Sequence, residues 1–186
     1  MICSVLGLGY IGLPTAAIIA SKGINTFGID INNEIVKNLN NCKAHFYERD
    51  LDKLLKKVVK NKYFVAKKIP EKSDVFIITV PTPVFKNKKP NLNFVFDAIK
   101  SIASLIEKNN LIIIESTIPV GTTKKIYNLL KKLRKDLNFP DIDYTSNKNQ
   151  NDIFISHCPE RVLPGNIIHE LLHNDRIIGG LTKNVQ

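Results

Sequence analysis

The chain has 186 residues, 44% hydrophobic and 24% charged, which is enough to bury a substantial core as one domain. The formal net charge is +10, but the excess is mostly lysine scattered over predicted helices, so we expect solvated surfaces and no nucleic-acid partner. No stretch approaches the ~20 consecutive apolar residues of a membrane span, and three widely spaced cysteines exclude a disulfide framework or clustered zinc site. We expect a cytoplasmic protein that does not associate with membranes.

The N-terminal stretch predicts a nucleotide-binding unit. A short β-rich run over residues 1–6 enters the glycine turn Gly7-Leu8-Gly9-Tyr10-Ile11-Gly12, and an apolar helix and a second strand ending at Asp30 follow. This is the dinucleotide-binding fingerprint in its required context. Gly7 permits the tight turn, Gly9 lets the backbone approach a pyrophosphate, and Gly12 lets the helix lie close to the sheet.

The acidic residue at the end of this unit indicates the cofactor. Asp30 lies 18 residues after Gly12, near the spacing of about 20 expected for an acid that accepts hydrogen bonds from an adenosine ribose. A carboxylate at this place repels a 2′-phosphate, so the sequence favours NAD over NADP. A flavin, another nucleotide, or a glycine turn that binds nothing are the alternatives.

The rest of the chain alternates predicted helices and strands. In order, we expect a helix capped by Asn32 or Asn33, a helix over 51–59, strands over 63–66 and 74–80, a helix over 94–107, a strand over 111–115, a helix capped by Thr122 or Thr123 and ending near Leu137, a polar connection over 138–151, and strands over 152–156 and 176–180. This alternation predicts an α/β fold, a Rossmann-like doubly wound parallel sheet with helices on both faces. Thr82 follows a central strand, at the sheet edge where ligands of such folds bind.

Five sequence blocks, taken together, resemble one family. They are residues 7–14, 80–83, 115–122, 158–165 and 175–180, which occur in this order over nearly the whole chain. The chain resembles the NAD-binding N-terminal domain of the UDP-glucose/UDP-mannose dehydrogenase family. The block Cys-Pro-Glu-Arg-Val-Leu-Pro-Gly at 158–165 is most like the bacterial UDP-N-acetyl-D-mannosamine branch. Enzymes for UDP-N-acetylglucosamine, its galactosamine isomer or UDP-glucose are the alternatives.

The resemblance implies an activity and a set of site residues. It implies oxidation of a UDP-sugar C6 alcohol to a carboxylate in two steps, with two NAD⁺ and a cysteine thioester, for the synthesis of bacterial surface polysaccharides. Glu160 stands where the family has a glutamate associated with thioester hydrolysis, a role that suits a carboxylate beside a water molecule. The resemblance also implies NAD contacts by Tyr10, Ile11, Asp30, Thr82 and Thr117, and UDP-sugar contacts by Arg161 and Val162.

The chain also departs from the family pattern. The catalytic lysine and the Gly-Gly-x-Cys nucleophile of the family lie beyond these residues, and here Gly179-Gly180 precedes Leu181 and Thr182. Cys158 matches no catalytic cysteine of the family. We therefore expect residues 1–186 to form the NAD-binding domain without the central helix and the C-terminal UDP-sugar domain. Such a polypeptide would bind NAD without completing the oxidation. The homodimer of the full-length family uses the central helix, so the assembly state of this polypeptide stays open.

Two alternatives belong to other functional classes. His169-Glu170-Leu171-Leu172-His173 matches the H-E-x-x-H pattern, in which two histidines one helical turn apart bind zinc in metallopeptidases. The segment after His173 offers no histidine or glutamate as a further ligand, so two solvent-facing histidines and no metal are favoured. A non-enzymatic nucleotide-binding module is the other alternative, since this fold supports many functions.

Overall fold

The computed structural model describes residues 1–140, 142 and 152–181, which form one layered α/β unit. The strands are β1 Ile2–Leu6, β2 Asn25–Ile29, β3 Phe64–Lys67, β4 Val75–Ile78, β5 Asn110–Ile114, β6 Ile153–His157 and β7 Gly179–Gly180. The helices are α1 Gly12–Ser21, α2 Asn33–Asn40, α3 Leu51–Lys60, α4 Asn93–Ala103, α5 Thr122–Leu133 and α6 Ile167–His173. None of these helices has the length and apolar composition needed to cross a bilayer.

The sheet has the strand order β3-β2-β1-β4-β5-β6-β7, and β1 to β6 are parallel. The α/β prediction is confirmed. The last strand differs from the parallel sheet that we expected, because β7 is antiparallel to β6 and has only two residues. The short helix α6 does not carry the chain back to the amino edge, so β7 begins opposite the carboxyl end of β6, where Gly179 pairs with His157.

Apolar side chains cover both faces of the sheet. In β1, Cys3 and Val5 point into a cluster with α1 and α3, whereas Leu6 points into a second cluster with α4 and α5. This alternation follows from the two-residue repeat of a strand. Helices pack on both faces, and the carboxyl edge of the sheet is where doubly wound folds bind their ligands.

The element ends show which local signals were sufficient. The Asn32 side chain caps α2 as predicted, accepting from the amides of Glu34 (2.9 Å) and Ile35 (3.4 Å). The predicted cap of α5 is wrong, because Thr122 lies inside the helix and is buried, and Gly121 occupies the cap position with φ of +85°. A left-handed turn enters this helix, and glycine adopts it without strain.

Two helices end before their predicted ends. Helix α5 ends at Leu133 rather than near Leu137. Helix α4 ends at Ala103, and the following turn is fixed by the Asn110 side chain, which accepts from the Glu107 amide at 2.7 Å. Most of the polar connection predicted over 138–151 lies outside the described residues.

Candidate cofactor site

The glycine turn is held closed by backbone packing. Gly7 has φ of +94°, and its amide donates to the Ile29 carbonyl at 2.8 Å. A Cβ atom at Gly12 would lie 1.8 Å from the Gly7 carbonyl oxygen and 2.4 Å from Thr79 Oγ1. Because any side chain at Gly12 meets backbone, helix α1 can begin this close to the turn only with glycine there.

Packing within the protein does not explain why residue 9 is a glycine. A Cβ atom built on Gly9 meets no heavy atom of the described residues within 4 Å, and its φ is not in the left-handed region. Residues 9–11 line the cavity at the N-terminus of α1, where the helix dipole favours negative charge, while the Leu13 and Thr15 amides already donate to the Gly9 (3.2 Å) and Ile11 (3.0 Å) carbonyls. This open cradle fits the pyrophosphate of a dinucleotide.

Asp30 ties the end of β2 to the same turn. Its Oδ2 accepts from the Leu8 amide at 3.0 Å, and its Oδ1 accepts from the Asn32 amide at 2.9 Å. These two bonds fix the carboxylate at the carboxyl edge of the sheet. The remaining lone pairs are available to hydroxyl donors such as those of a ribose.

Two hydroxyl groups shape the neighbouring strand ends. Thr79 Oγ1 lies 2.8 Å from the Leu6 carbonyl oxygen and 2.7 Å from that of Gly7. Ser116 Oγ donates to the Val80 carbonyl at 2.7 Å. Strand β4 ends at Ile78 rather than at the predicted Val80, and the Thr79 amide makes the last bond to β1, to the Leu6 carbonyl at 2.8 Å.

These elements enclose a cavity of about 850 Å³. It lies beside the junction of β1 and β4, where the strand order reverses, which is the usual ligand site of doubly wound sheets. Gly12 packs behind the turn and is not part of the wall. The predicted site residues that line this cavity are Gly7, Gly9, Tyr10, Ile11, Asp30, Thr82, Thr117 and Glu160.

The predicted substrate residues lie next to this cavity rather than in it. Arg161 and Val162 line a small pocket that shares Glu160 with the main cavity. The Arg161 Nη2 atom donates to the Asp175 carbonyl at 2.7 Å, and the Val162 amide donates to Glu160 Oε2 at 2.8 Å. Glu160 therefore stands at the boundary of the two spaces.

A buried ion pair at the end of β5 was missed by the sequence analysis. Glu115 is 3% exposed and pairs with Arg176, while Thr15 Oγ1 donates to Glu115 Oε2 at 3.4 Å. Burial raises the pKa of Glu115, although the charge and hydrogen bond of Arg176 oppose the rise. Burial also lowers the pKa of Arg176, but attraction to Glu115 and contact with the Cys158 thiol more than offset this and raise it.

The pair lies in the wall between two cavities. Glu115 lines the cofactor cavity, and both Glu115 and Arg176 line a second, largely apolar cavity of about 590 Å³ on the α1 face of the sheet. The only sequence signal was that each residue lies in one of the five blocks. No local spacing connects an acid after β5 with a base before β7.

The segment after α2 makes contacts that no sequence motif predicts. The Phe46 ring stacks on Tyr10 with centroids 4.3 Å apart, and buried Glu48 accepts from the amides of Gly165 (2.9 Å) and Ile167 (3.0 Å). Glu48 thereby caps α6 from a distant part of the chain. This segment links the glycine turn to the region that follows Arg161.

The H-E-x-x-H histidines interact with each other. His169 and His173 are both exposed on α6, their rings stack with centroids 4.2 Å apart, and His173 Nδ1 lies 2.7 Å from the His169 carbonyl oxygen. Glu170 Oε2 accepts from the Leu163 amide at 2.9 Å. The described residues contain no group of three or more histidine, cysteine, aspartate or glutamate side chains placed to hold a metal ion.

Comparison with known proteins settles the family. Residues 1–186 match the NAD binding domain of the UDP-glucose/GDP-mannose dehydrogenase family. The chain belongs to this family. The resemblance seen in the five blocks is confirmed, with GDP-mannose rather than UDP-mannose in the family name. The match includes the H-E-x-x-H segment, which is therefore part of a dehydrogenase domain.

Individual relatives agree with this assignment. The chain is 52% identical over 181 residues to UDP-N-acetyl-D-mannosamine dehydrogenase of Campylobacter jejuni, covering 96% of this chain and 43% of the relative. It is 45% identical over 179 residues to NDP-N-acetyl-D-galactosaminuronic acid dehydrogenase of Ralstonia solanacearum, covering 96% of this chain and 41% of the relative.

Solved structures show the same fold. UDP-D-ManNAc dehydrogenase of Pyrococcus horikoshii superposes with a TM-score of 0.90 at 39% identity, over 100% of this chain and 42% of that one. UDP-N-acetyl-mannosamine dehydrogenase of Staphylococcus aureus gives 0.89 at 38% identity, over 100% and 43%. The chain thus spans less than half the length of these relatives, and what it supplies is an NAD-binding domain.

Proposed function

We propose that this chain is the NAD-binding part of a nucleotide-sugar 6-dehydrogenase that oxidises UDP-N-acetyl-D-mannosamine to its uronate with two NAD⁺. The observation that carries the proposal is the cavity at the β1/β4 junction, where the glycine turn, Asp30 and Glu160 meet. Relatives that are 44% to 52% identical and named UDP-N-acetyl-D-mannosamine dehydrogenase support the choice of sugar.

Each end of the cavity has its own task in this proposal. The amides around Gly9 hold the diphosphate, Asp30 accepts from the adenosine ribose, and Tyr10 and Ile11 pack against the cofactor. Thr82 and Thr117 contact its nicotinamide half, because they follow β4 and β5 on the other side of the turn. Bound NAD⁺ supplies the acceptor for the hydride that leaves the sugar C6.

The region after β6 serves the sugar in this proposal. Arg161 and Val162 contact the UDP-sugar beside Glu160, and Glu160 acts as general base toward water in the hydrolytic step. The Val162 amide holds one oxygen of Glu160, at 2.8 Å, and so fixes the carboxylate at the boundary of the two spaces. We propose that the 186-residue polypeptide binds NAD but does not complete the oxidation.

Calorimetry tests the cofactor part of the proposal. Titration of the folded polypeptide with NAD⁺ is expected to show saturable binding, and NADP⁺ is expected to bind at least about tenfold more weakly because Asp30 repels its 2′-phosphate. Equal affinity for the two cofactors would contradict the assignment of Asp30. NADH formation by this polypeptide with a UDP-sugar would contradict the proposed inactivity of the isolated domain.

A second sugar is favoured by a specific observation. The Ralstonia relative named for N-acetylgalactosaminuronic acid is 45% identical, within the range of several mannosamine relatives. Two chimeras join residues 1–186 to the C-terminal part of the Campylobacter or of the Ralstonia relative, so that a preference supplied by the added part can be separated from that of this chain. A shift towards UDP-N-acetyl-D-mannosamine in the Ralstonia chimera relative to its parent enzyme, with activity abolished by Glu160→Gln, supports the proposal. A shift towards UDP-N-acetyl-D-galactosamine in the Campylobacter chimera relative to its parent enzyme contradicts it.

A further inference from the structure

The charge of the cofactor cavity is opposite to that of the chain. The chain has a net charge of +10, yet the titratable side chains lining the cavity within the described residues include the carboxylates Asp30, Asp97, Glu115 and Glu160 against one cation, Lys68. A dinucleotide brings a negatively charged diphosphate into this cavity. Carboxylates in the cavity wall disfavour binding of a dinucleotide unless they lie near a part of the dinucleotide that carries no negative charge.

The carboxylates lie at different ends of the cavity. Asp30 and Lys68 follow β2 and β3, on the side of the glycine turn assigned to adenosine. Glu115 and Glu160 follow β5 and β6, on the opposite side of the turn. A dinucleotide with its diphosphate on the turn and its adenosine at Asp30 must extend its nicotinamide half toward Glu115 and Glu160.

The carboxylates at this second end differ in how their charge is balanced. Arg176 pairs with Glu115, so this pair is close to neutral overall. Asp97 pairs with Lys100 at 3.1 Å on the rim formed by α4. Glu160 is half-buried, accepts only the Val162 amide, and makes no ion pair within the part of the chain that the structure describes. Its negative charge is therefore the least compensated.

We infer that Glu160 makes this cavity selective for the oxidised cofactor over the reduced one. The two forms share the adenosine, both riboses and the diphosphate, but the nicotinamide ring is positively charged in NAD⁺ and neutral in NADH. A carboxylate near the ring therefore stabilises only the oxidised form, and the low dielectric of a cleft strengthens the effect. The inference rests on the proposed function, since it takes NAD as the ligand.

This selectivity suits the proposed reaction. Oxidation of an alcohol to a carboxylate removes two hydrides, so one site must release NADH and take up a second NAD⁺ before the product is complete. A wall that binds NADH more weakly than NAD⁺ promotes this exchange. The same glutamate that is proposed to activate water in the last step would also promote departure of the reduced cofactor.

The ratio of dissociation constants for NADH and NAD⁺ tests the inference. Both are measured on the 186-residue chain at low ionic strength, with calorimetry for NAD⁺ and NADH fluorescence for the reduced form. Glu160→Gln, which keeps an acceptor for the Val162 amide, is expected to lower the NADH/NAD⁺ ratio by about three- to tenfold. Glu115→Gln is expected to lower it as well, because it leaves the positive charge of Arg176 unbalanced. Added salt should reduce the wild-type ratio.

Asp30→Asn is the matched control. Asp30 lines the same cavity at the adenosine end, which is identical in the two forms, so this variant should weaken both cofactors in parallel and leave the ratio unchanged. Glu160→Asp should retain most of the wild-type ratio. An unchanged ratio in Glu160→Gln, or an equal change in Asp30→Asn, would overturn the inference while leaving NAD binding intact. Absence of NAD⁺ binding by the wild type would instead refute the proposed function.

Discussion

The two ends of the cofactor cavity are built in different ways. The adenosine end comes from one continuous stretch, residues 7–30, in which backbone packing and two hydrogen bonds to Asp30 set the geometry. The opposite end joins residues that are far apart in sequence, since Glu115 and Arg176 are separated by 61 positions. In the proposed binding mode, a local motif thus determines where a dinucleotide is held, whereas tertiary pairing determines the charges that face its nicotinamide half.

The adenosine end, whose geometry is set by backbone packing, should lose more stability than the opposite end when one carbon atom is added. Gly12→Ala places a Cβ atom 1.8 Å from the Gly7 carbonyl oxygen, and neither backbone segment can move without opening the turn. We expect a loss in the free energy of unfolding on the order of 4 kcal/mol or more. Urea denaturation measures it. Gly9→Ala, which meets no atom of the described residues within 4 Å, should change stability by less than about 1 kcal/mol.

At the opposite end of the cavity, the stability of the fold should depend on Arg176, the partner of Glu115. Arg176→Met leaves a buried carboxylate without its cation, and we expect a loss of about 2–4 kcal/mol in the free energy of unfolding. The raised pKa of Glu115 gives the sign of the pH dependence, because a carboxyl group that protonates more readily in the folded state stabilises it at low pH and less so as pH rises. The loss in the free energy of unfolding caused by Arg176→Met should therefore be larger at pH 8 than at pH 5.

A double variant separates charge from packing at this end. Glu115→Met combined with Arg176→Met removes both charges, so it should recover most of the stability lost in Arg176→Met and abolish the extra pH dependence. A deficit in Arg176→Met that is equal at the two pH values would show that Glu115 is not the group responsible.

The preference for NAD⁺ over NADP⁺ tests the role of Asp30 at the adenosine end. Asp30→Asn removes the charge that is proposed to repel a 2′-phosphate, and it leaves one side-chain oxygen in place of the two that accept from the Leu8 and Asn32 amides. The preference for NAD⁺ over NADP⁺ should fall by about tenfold, or ~1.4 kcal/mol. Parallel titrations of the two cofactors measure this change. Retention of the full preference would show that the charge of Asp30 does not set the discrimination.

The smallest effect concerns a local feature outside the cofactor contacts. Asn32→Ala removes the side-chain cap of α2 and should cost about 1 kcal/mol in the free energy of unfolding. The NADH/NAD⁺ ratio should not change, because the helix cap carries no charge. A loss of NAD⁺ affinity much larger than the loss of stability would show that the cap also positions Asp30.

The same division explains what could be predicted from the sequence. Hydrophobic alternation and turn residues were enough for the α/β fold, and the fingerprint located the glycine turn and Asp30 because its information is local. The cap of α5 was assigned to threonine because polar caps are common, whereas the chain uses a left-handed Gly121 that sequence alone does not distinguish from a loop glycine. The antiparallel direction of β7 and the Glu115–Arg176 pair both depend on the path of the chain after α6. The spacing of residues in the sequence does not predict that path.

In the proposed function, main-chain atoms of the glycine turn hold the diphosphate of NAD⁺ in front of Gly9. Calorimetric titration of NAD⁺ into the wild type and Gly9→Ala, each first shown to be folded, tests it most directly. We expect saturable binding to the wild type with one cofactor per chain, and binding at least about tenfold weaker in Gly9→Ala because its methyl group occupies the cradle. No heat from folded wild type at millimolar NAD⁺, or equal affinity in the two proteins, would contradict it.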